Sequence, residues 1–286
     1  MIAASVLGTL VTLWALCPAP SGAGADGQAA ESALRLELNI PAYRLDACVD
    51  GLAVRSYRVA VGTRKYPTPV GDFRIAEVVW NPWWRPPPST WARDQKVTPP
   101  GPGNPVGRVK LTFRPLYHLH GTPEEGSLGQ AASHGCVRLA NADVIDLARL
   151  VHRSASPAVA EATLDRLEAD PWRTTSIPLA APVPLRIVYR LAEVRDGRLE
   201  VHPDVYRRDG GAARSQALAA LREHGIEAEA VDPRRLDELL KEARRTTVSL
   251  PLEQLLRPGG SAPDSTPPPE QRREDAYPGT APVPCT

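Results

Sequence analysis

The stretch Y-H-L-H-G-T-P-E-E-G-S-L-G-Q-A-A-S-H-G-C-V-R-L-A-N, from Tyr117 to Asn141, contains three of the six histidines and one of the four cysteines in the chain. Its first residues predict the end of a strand that delivers His120 into a turn. A glycine-containing loop follows and leads to the segment 133–136, Ser-His-Gly-Cys. A thiol, imidazoles and glycines this close together in the sequence indicate a chemical site.

One reading of this stretch is a cysteine nucleophile with a histidine base. A free thiol, with a pKa near ~8.5, is mostly protonated at neutral pH, so a nearby imidazole has to accept its proton and later return it to a leaving amine. Gly135 lets a substrate approach the backbone closely. It also leaves the amides of Gly135 and Cys136 free to face an oxyanion.

Two other readings stay open on the residues alone. His118-x-His120 and His134-x-Cys136 offer four nitrogen and sulfur ligands of the kind that zinc prefers. If residues 116–120 are extended, His118 and His120 point to the same face. The third reading is structural, with a buried free cysteine and surface histidines.

Alternating apolar residues predict a mainly β body. The predicted strands are 34–40, 43–49, 54–61, 73–79, 109–113 and 116–119, with a hairpin turn at Asp50-Gly51. After Cys136, Asn141 is predicted to cap a helix that carries apolar residues at helical spacing. A second short helix opens at Ser156-Pro157, and a proline-broken strand runs from Ile177 to Tyr189.

The segment from Trp80 to Pro105 predicts a long structured loop, because it is rich in proline and contains four of the six tryptophans. These tryptophans are Trp80, Trp83, Trp84 and Trp91. They either pack the loop onto the body or line a substrate groove.

The two ends of the chain differ from the body. Residues 1–25 predict a signal peptide with cleavage after Ala25, and hence an exported protein in the periplasm or cell envelope. Residues 192–256 predict a β-hairpin followed by two helices, an α/β or helical appendage. Residues 257–286 predict a disordered proline-rich tail.

Charge and cysteine count limit the function further. The net charge of +1 gives no indication of nucleic-acid binding. Cleavage after Ala25 leaves Cys48, Cys136 and Cys285, an odd number, so at least one thiol is free or has an intermolecular partner. Cys48 is predicted to be a small buried hydrophobic residue, and no disulfide to Cys285 is predicted.

These motifs resemble the L,D-transpeptidases, whose catalytic domain is called YkuD. The family signature is a histidine-glycine pair, here His120-Gly121, followed after a spacer by the run 133–138, Ser-His-Gly-Cys-Val-Arg. The proline-rich loop 67–73 resembles a further loop of the family, and the segments 81–87 and 100–107 resemble the ErfK and YbiS subgroup. The resemblance covers roughly residues 34–191.

The resemblance implies a β-sandwich-like catalytic domain that acts on peptidoglycan stem peptides without a metal or cofactor. It implies Cys136 as nucleophile and His120 as base, with His134 and Gly135 supplying oxyanion-hole amides. It also implies that carbapenem-type β-lactams inhibit the protein. The acyl acceptor would be another stem peptide, a lysine of an envelope protein, or water.

The remaining site residues are assigned by the same resemblance and by their chemistry. Arg138 is expected to meet a substrate carboxylate, because its fork of donors suits that group. Gly121, Ser133, Trp83 and Trp84 are expected near the substrate. His118 lies outside the signature and is interpreted as structural or substrate-lining.

Overall fold

The computed structural model describes residues 33–208 and 210–257 and the backbone of 283–284. The predicted signal peptide, 1–25, and most of the predicted tail, 257–286, lie outside the described residues. Of the helices in the described part, none combines the length and the apolar character needed to cross a bilayer.

The described residues form a mostly β structure, which confirms the predicted fold class. Its strands are β1 (Leu34–Asn39), β2 (Arg44–Val49), β3 (Leu52–Arg58), β4 (Val61–Gly62), β5 (Gly71–Trp80), β6 (Val109–Arg114), β7 (Tyr117–Thr122), β8 (Ala131–Ser133), β9 (Val137–Ala140), β10 (Thr175–Val188), β11 (Ala192–Arg195), β12 (Arg198–Val201), β13 (Val248–Pro251) and β14 (Val283–Pro284). Its helices are α1 (Asn141–Ala155), α2 (Glu161–Ala169), α3 (Ala213–Glu223), α4 (Pro233–Glu242) and α5 (Leu252–Leu255).

Among the described residues, nine strands form one mixed sheet in the order β14-β3-β2-β1-β10-β5-β6-β7-β9. β7 and β9 are parallel neighbours, with Leu119 opposite Val137 and His120 opposite Arg138. The helix α1 buries Val144, Leu147 and Val151 against the sheet. This pairing brings the two ends of the 117–141 stretch side by side, although Cys136 comes sixteen positions after His120 in the sequence.

The start of α1 differs from the prediction. Ala140 occupies the N-cap position and Asn141 is the first helical residue. The side chain of Asn141 instead accepts the N–H of Arg108 at 2.9 Å and donates to the carbonyl of Thr122 at 3.2 Å. Asn141 therefore joins the start of β6 to the end of β7. Its position at the start of the helix lets its side chain reach one backbone group from each of these two segments.

Residues 192–256 form an α/β unit with its own apolar core. Three antiparallel strands, β11, β12 and β13, pack with α3, α4 and α5. The hairpin and both long helices are as predicted, whereas the third strand, Val248–Pro251, is an addition to the prediction. Arg44 of β2 joins this unit to the main sheet through ion pairs with Glu193 at 2.8 Å and Glu200 at 3.2 Å.

The prediction for Cys48 needs correction, and one short strand lies within the predicted tail. Cys48 is disulfide-bonded, so it is not simply a buried hydrophobic residue, and its partner lies outside the described residues. Within the segment predicted to be a disordered tail, residues 283–284 form a short strand on the edge of β3. An edge strand has unpaired backbone groups, which explains why even a proline-rich segment can pair there.

Candidate active site

Cys136 lies immediately before β9, beside the beginning of β7. Its thiol is half-buried, and Sγ is 3.4 Å from the carbonyl oxygen of Leu116. Burial raises the pKa of the thiol, while the backbone N–H of His118 and the positive charges of Arg138 and Lys110 act in the opposite direction. The raised pKa favours the protonated thiol, which would need a base in order to act as a nucleophile.

His120 has the properties of such a base. The ring is buried, and Nδ1 lies 2.7 Å from the carbonyl oxygen of Gly121. Nδ1 must carry the proton to donate to that carbonyl, so Nε2 keeps a lone pair. Burial lowers the pKa of His120 to about 4, and the imidazole is therefore neutral and able to accept a proton at neutral pH.

Gly121 has a packing role that its substrate-binding prediction did not include. The carbonyl of Gly121 accepts the ring N–H of His120. The packing around Gly121 also leaves no room for a side chain. A Cβ there would lie 2.3 Å from Oδ1 of Asn141 and 3.1 Å from the N atom of Arg108. Any larger residue would separate β7 from α1 and displace the base.

The loop 133–136 is shaped by Ser133, whose buried hydroxyl accepts the N–H of Gly135 at 3.1 Å and donates to the carbonyl of Cys136 at 2.5 Å. The N–H of Gly135 is therefore engaged, and the prediction that it faces an oxyanion is corrected on this point. Gly135 has a φ of +107°, which explains the requirement for glycine. The amide of Cys136 remains a candidate oxyanion donor.

The zinc reading is not supported by the geometry. His118 Nδ1 is bonded to the hydroxyl of Thr112 at 3.0 Å, and His120 Nδ1 to a carbonyl. In the part of the chain that the structure describes, Glu193, Glu200 and His202 are the one cluster of three potential metal ligands. Arg44 already occupies two of these carboxylates. That cluster reads as a buried ion-pair network.

Arg138, predicted to meet a substrate carboxylate, pairs in the structure with a carboxylate of the chain itself. Its Nη1 is 2.9 Å from Oε2 of Glu124, an exposed carboxylate on the loop between β7 and β8. Its charge also lowers the pKa values of both His120 and Cys136. Glu124 thus occupies the position at which a substrate carboxylate would meet this guanidinium.

The tryptophan loop reaches the site, though through a different residue from those predicted. Trp91 stacks on the imidazole of His134, with ring centroids 3.9 Å apart, and Tyr66 packs against the same imidazole at 4.7 Å. Trp83 is exposed beside Arg85, and the backbone of Trp84 pairs with Thr98. His134 nevertheless stays exposed, and Trp91 is the tryptophan of the loop that stacks on it.

Sequence reasoning missed three further residues around the nucleophile. Thr68 donates to the carbonyl of Gly135 at 3.0 Å, and its own N–H donates to the hydroxyl of Tyr206 at 3.0 Å. Tyr66 and Thr68 lie in or next to the proline-rich loop 67–73, which supplied a signal. Tyr206 gave no signal in the sequence, because it lies after β12 in a segment without a motif.

Comparison with known proteins identifies the domain. The family model for the YkuD L,D-transpeptidase catalytic domain matches residues 34–166, which include every catalytic candidate. This segment of the chain is therefore similar to YkuD-family catalytic domains. Matches to YbiS of Escherichia coli K12 (48% identical over 48 residues, 17% of this chain and 16% of that protein) and to ErfK/SrfK support the predicted subgroup.

Relatives with longer matches are also named as putative L,D-transpeptidases. The putative L,D-transpeptidase YkuD of Bacillus subtilis strain 168 is 31% identical over 117 residues, which are 41% of this chain and 59% of that protein. The chain spans about half the length of the curated relatives it matches. The YkuD domain is thus the shared part, and 192–256 lies beyond the family match.

Solved structures with similarity to the chain include an L,D-transpeptidase from Mycobacterium smegmatis, 18% identical with a TM-score of 0.36. Another is L,D-transpeptidase 3 from Mycobacterium tuberculosis in complex with a faropenem-derived adduct, 14% identical with a TM-score of 0.36. Each comparison covers 55% of this chain, and 59% and 60% of the respective relatives.

Proposed function

We propose that this protein is an exported cysteine acyltransferase that acts on the tetrapeptide stems of peptidoglycan. The observation that supports the proposal is the pairing of β7 with β9, in which His120, neutral at rest, lies opposite Arg138, two residues after Cys136. Arg138, opposite His120 in the register, adds the positive charge that an anionic substrate and a developing thiolate both favour.

In the first half-reaction Cys136 Sγ attacks the carbonyl of the third stem residue, a diamino acid, at its L-centre. His120 Nε2 takes the thiol proton as the S–C bond forms, because neither group is charged at rest. The negative charge on the carbonyl oxygen is met by the backbone N–H of Cys136. The C–N bond to the terminal D-alanine then breaks, and His120 returns the proton to the leaving amine.

In the second half-reaction an amine attacks the Cys136 thioester. His120 takes a proton from the attacking amine and gives it back to the departing sulfur, which restores the thiol. A side-chain amine of a second stem produces a 3→3 cross-link, and a lysine of an envelope protein produces an anchored protein. If water attacks in place of the amine, the protein acts as an L,D-carboxypeptidase.

Location outside the cytoplasm is part of the proposal. The apolar N-terminal stretch supports it, and so does the disulfide at Cys48, since disulfides persist in oxidising compartments. Fractionation of cells that produce the tagged chain tests this point, and a reduced Cys48 in a cytoplasmic fraction would contradict it.

Incubation with disaccharide-tetrapeptide, alone and with a lysine-containing peptide, followed by mass spectrometry, tests the reaction. The proposal expects release of D-alanine and a cross-linked, anchored or trimmed product, whose mass identifies the acceptor. Cys136→Ala abolishes all three products while the fold persists. Products that survive this substitution would refute the thioester mechanism.

A further inference from the structure

A chain of buried hydrogen bonds runs from the segment after β12 to the nucleophile loop. The hydroxyl of Tyr206 accepts the N–H of Thr68 at 3.0 Å, and the hydroxyl of Thr68 donates to the carbonyl of Gly135 at 3.0 Å. Thr68 is fully buried and Tyr206 is nearly so. Tyr206 lies forty residues beyond the end of the family match.

The bond from Thr68 to Gly135 has a direct consequence for Cys136. The carbonyl of Gly135 and the N–H of Cys136 belong to one peptide unit, which is planar and trans. In such a unit the two groups point in opposite directions. A bond that fixes the direction of the Gly135 carbonyl therefore also fixes the direction in which the Cys136 N–H points.

Close packing leaves Thr68 little freedom to move. A Cβ added to Gly62 would lie 2.7 Å from the N atom of Thr68 and 2.9 Å from Cα of Gly135. The N–H of Gly62 donates to the Thr68 hydroxyl at 2.9 Å. The three backbone segments are therefore in direct contact, and a shift of Thr68 is transmitted to Gly135.

Tyr206 is itself held by its neighbours. Its N–H donates to the hydroxyl of Tyr189 at 2.7 Å, and that hydroxyl donates to Asp204 at 2.5 Å. The two tyrosine rings stack at 5.4 Å, with the guanidinium of Arg208 5.1 Å from the ring centroid of Tyr206. The phenol that meets Thr68 is thus fixed at its ring, its backbone and its hydroxyl.

We propose that Tyr206 is a positioning residue for acyl transfer, which orients the oxyanion-binding N–H of Cys136 through Thr68 and the carbonyl of Gly135. The residues that follow the family-matched domain thus complete its oxyanion hole. This inference rests on the proposed thiol acyl transfer, since only a reaction that passes through an oxyanion uses this N–H.

The test compares two reactions of the same thiol in the full chain. Imipenem acylates a thiol through a tetrahedral oxyanion, whereas iodoacetamide alkylates it by direct displacement and forms no oxyanion. For Tyr206→Phe we expect the saturating rate of imipenem acylation to fall about tenfold, a part of the ~10²–10³ that loss of an oxyanion donor costs. The rate of iodoacetamide alkylation and its pH profile should not change.

Tyr57→Phe is the matched control, because Tyr57 is equally buried and donates to Asp146 at 2.7 Å, away from the nucleophile loop. Thr68→Val, which keeps the shape and removes the hydroxyl, should show the acylation defect, and Thr68→Ser should restore the rate. The Tyr206→Phe and Thr68→Val defects should be less than additive, since both act through one bond to Gly135.

Two results would overturn the inference while the proposed function stands. One is acylation of Tyr206→Phe at the wild-type rate. The other is an equal fall of acylation and alkylation, which would indicate general damage to the site around Cys136. If imipenem and the tetrapeptide both leave wild-type Cys136 unmodified, the proposed function itself fails.

Discussion

Acid should destabilise this protein through two buried histidines. Burial lowers the pKa values of His120 and His152 to about 4, and both rings are almost completely inaccessible to solvent. His152 Nε2 accepts the indole N–H of Trp80 at 3.1 Å, so a proton on Nε2 would face that N–H. Each histidine is thus held in its neutral form by its surroundings.

The direction of this effect follows from the number of protons that the folded and the unfolded chain bind. In the unfolded chain these histidines titrate near their ordinary pKa of 6.5, so between pH 6.5 and about 4 the unfolded chain binds more protons than the folded one. The free energy of unfolding therefore falls as the pH falls through this window. Each histidine changes the free energy of unfolding by roughly 1 kcal/mol per pH unit. Together the two lower it by about 2 kcal/mol between pH 6 and 5.

Urea unfolding followed by tryptophan fluorescence at pH 7, 6 and 5 measures this effect. His152→Gln keeps a side-chain oxygen that can accept the Trp80 N–H and does not titrate. The variant should lose the roughly 1 kcal/mol that His152 contributes between pH 6 and 5, whatever its stability at pH 7. A pH dependence equal to that of wild type would refute the account of His152.

Three further predictions concern the site and the disulfide. Glu124→Gln should lower KM for a carboxylate-bearing stem peptide by up to about fivefold, because an exposed ion pair with Arg138 contributes about 0–1 kcal/mol. Trp91→Ala should raise KM by about fivefold, through loss of an aromatic stack on His134 of about 1 kcal/mol. Cys48→Ser should lower the free energy of unfolding by about 2–4 kcal/mol, measured by urea unfolding, and leave imipenem acylation of the purified protein intact.

Each of these three predictions has its own control. Glu125→Gln and Trp83→Ala change exposed neighbours in the sequence, and KM should stay at the wild-type value in both. An unchanged KM in Glu124→Gln would mean that Arg138 does not bind the substrate carboxylate. For the disulfide, equal stability of wild type with and without reductant would contradict the prediction.

The chemical assignment follows from short sequence patterns. Alternation of apolar residues predicted the strands before and within 117–141, because strand residues two apart share one face. The spacing of His120, Gly135 and Cys136 indicated thiol chemistry, although zinc stayed open on the residues alone. His118 Nδ1 bonds to the hydroxyl of Thr112 and His120 Nδ1 to the carbonyl of Gly121, and the assignment of His120 as the base stays a prediction.

Which tryptophan reaches the site was not readable from the sequence. Trp83, Trp84 and Trp91 share one proline-rich loop without a period, so no rule distinguishes their directions. The prediction favoured Trp83 and Trp84, while the fold stacks Trp91 on His134. Asn141 shows the same limit, because a local capping rule was overridden by two backbone groups from β6 and β7.

The sequence by itself predicted the strand-rich domain, because periodicity encodes which residues share a face, and its family resemblance assigned Cys136 as the proposed nucleophile and His120 as the proposed base. Only the tertiary structure decided that Tyr206 meets Thr68 and that Gly135 is held by Thr68. It also decided the disulfide state of Cys48. These contacts join residues far apart in the chain, and their existence depends on strand order and on the packing of 192–256, which no local pattern records.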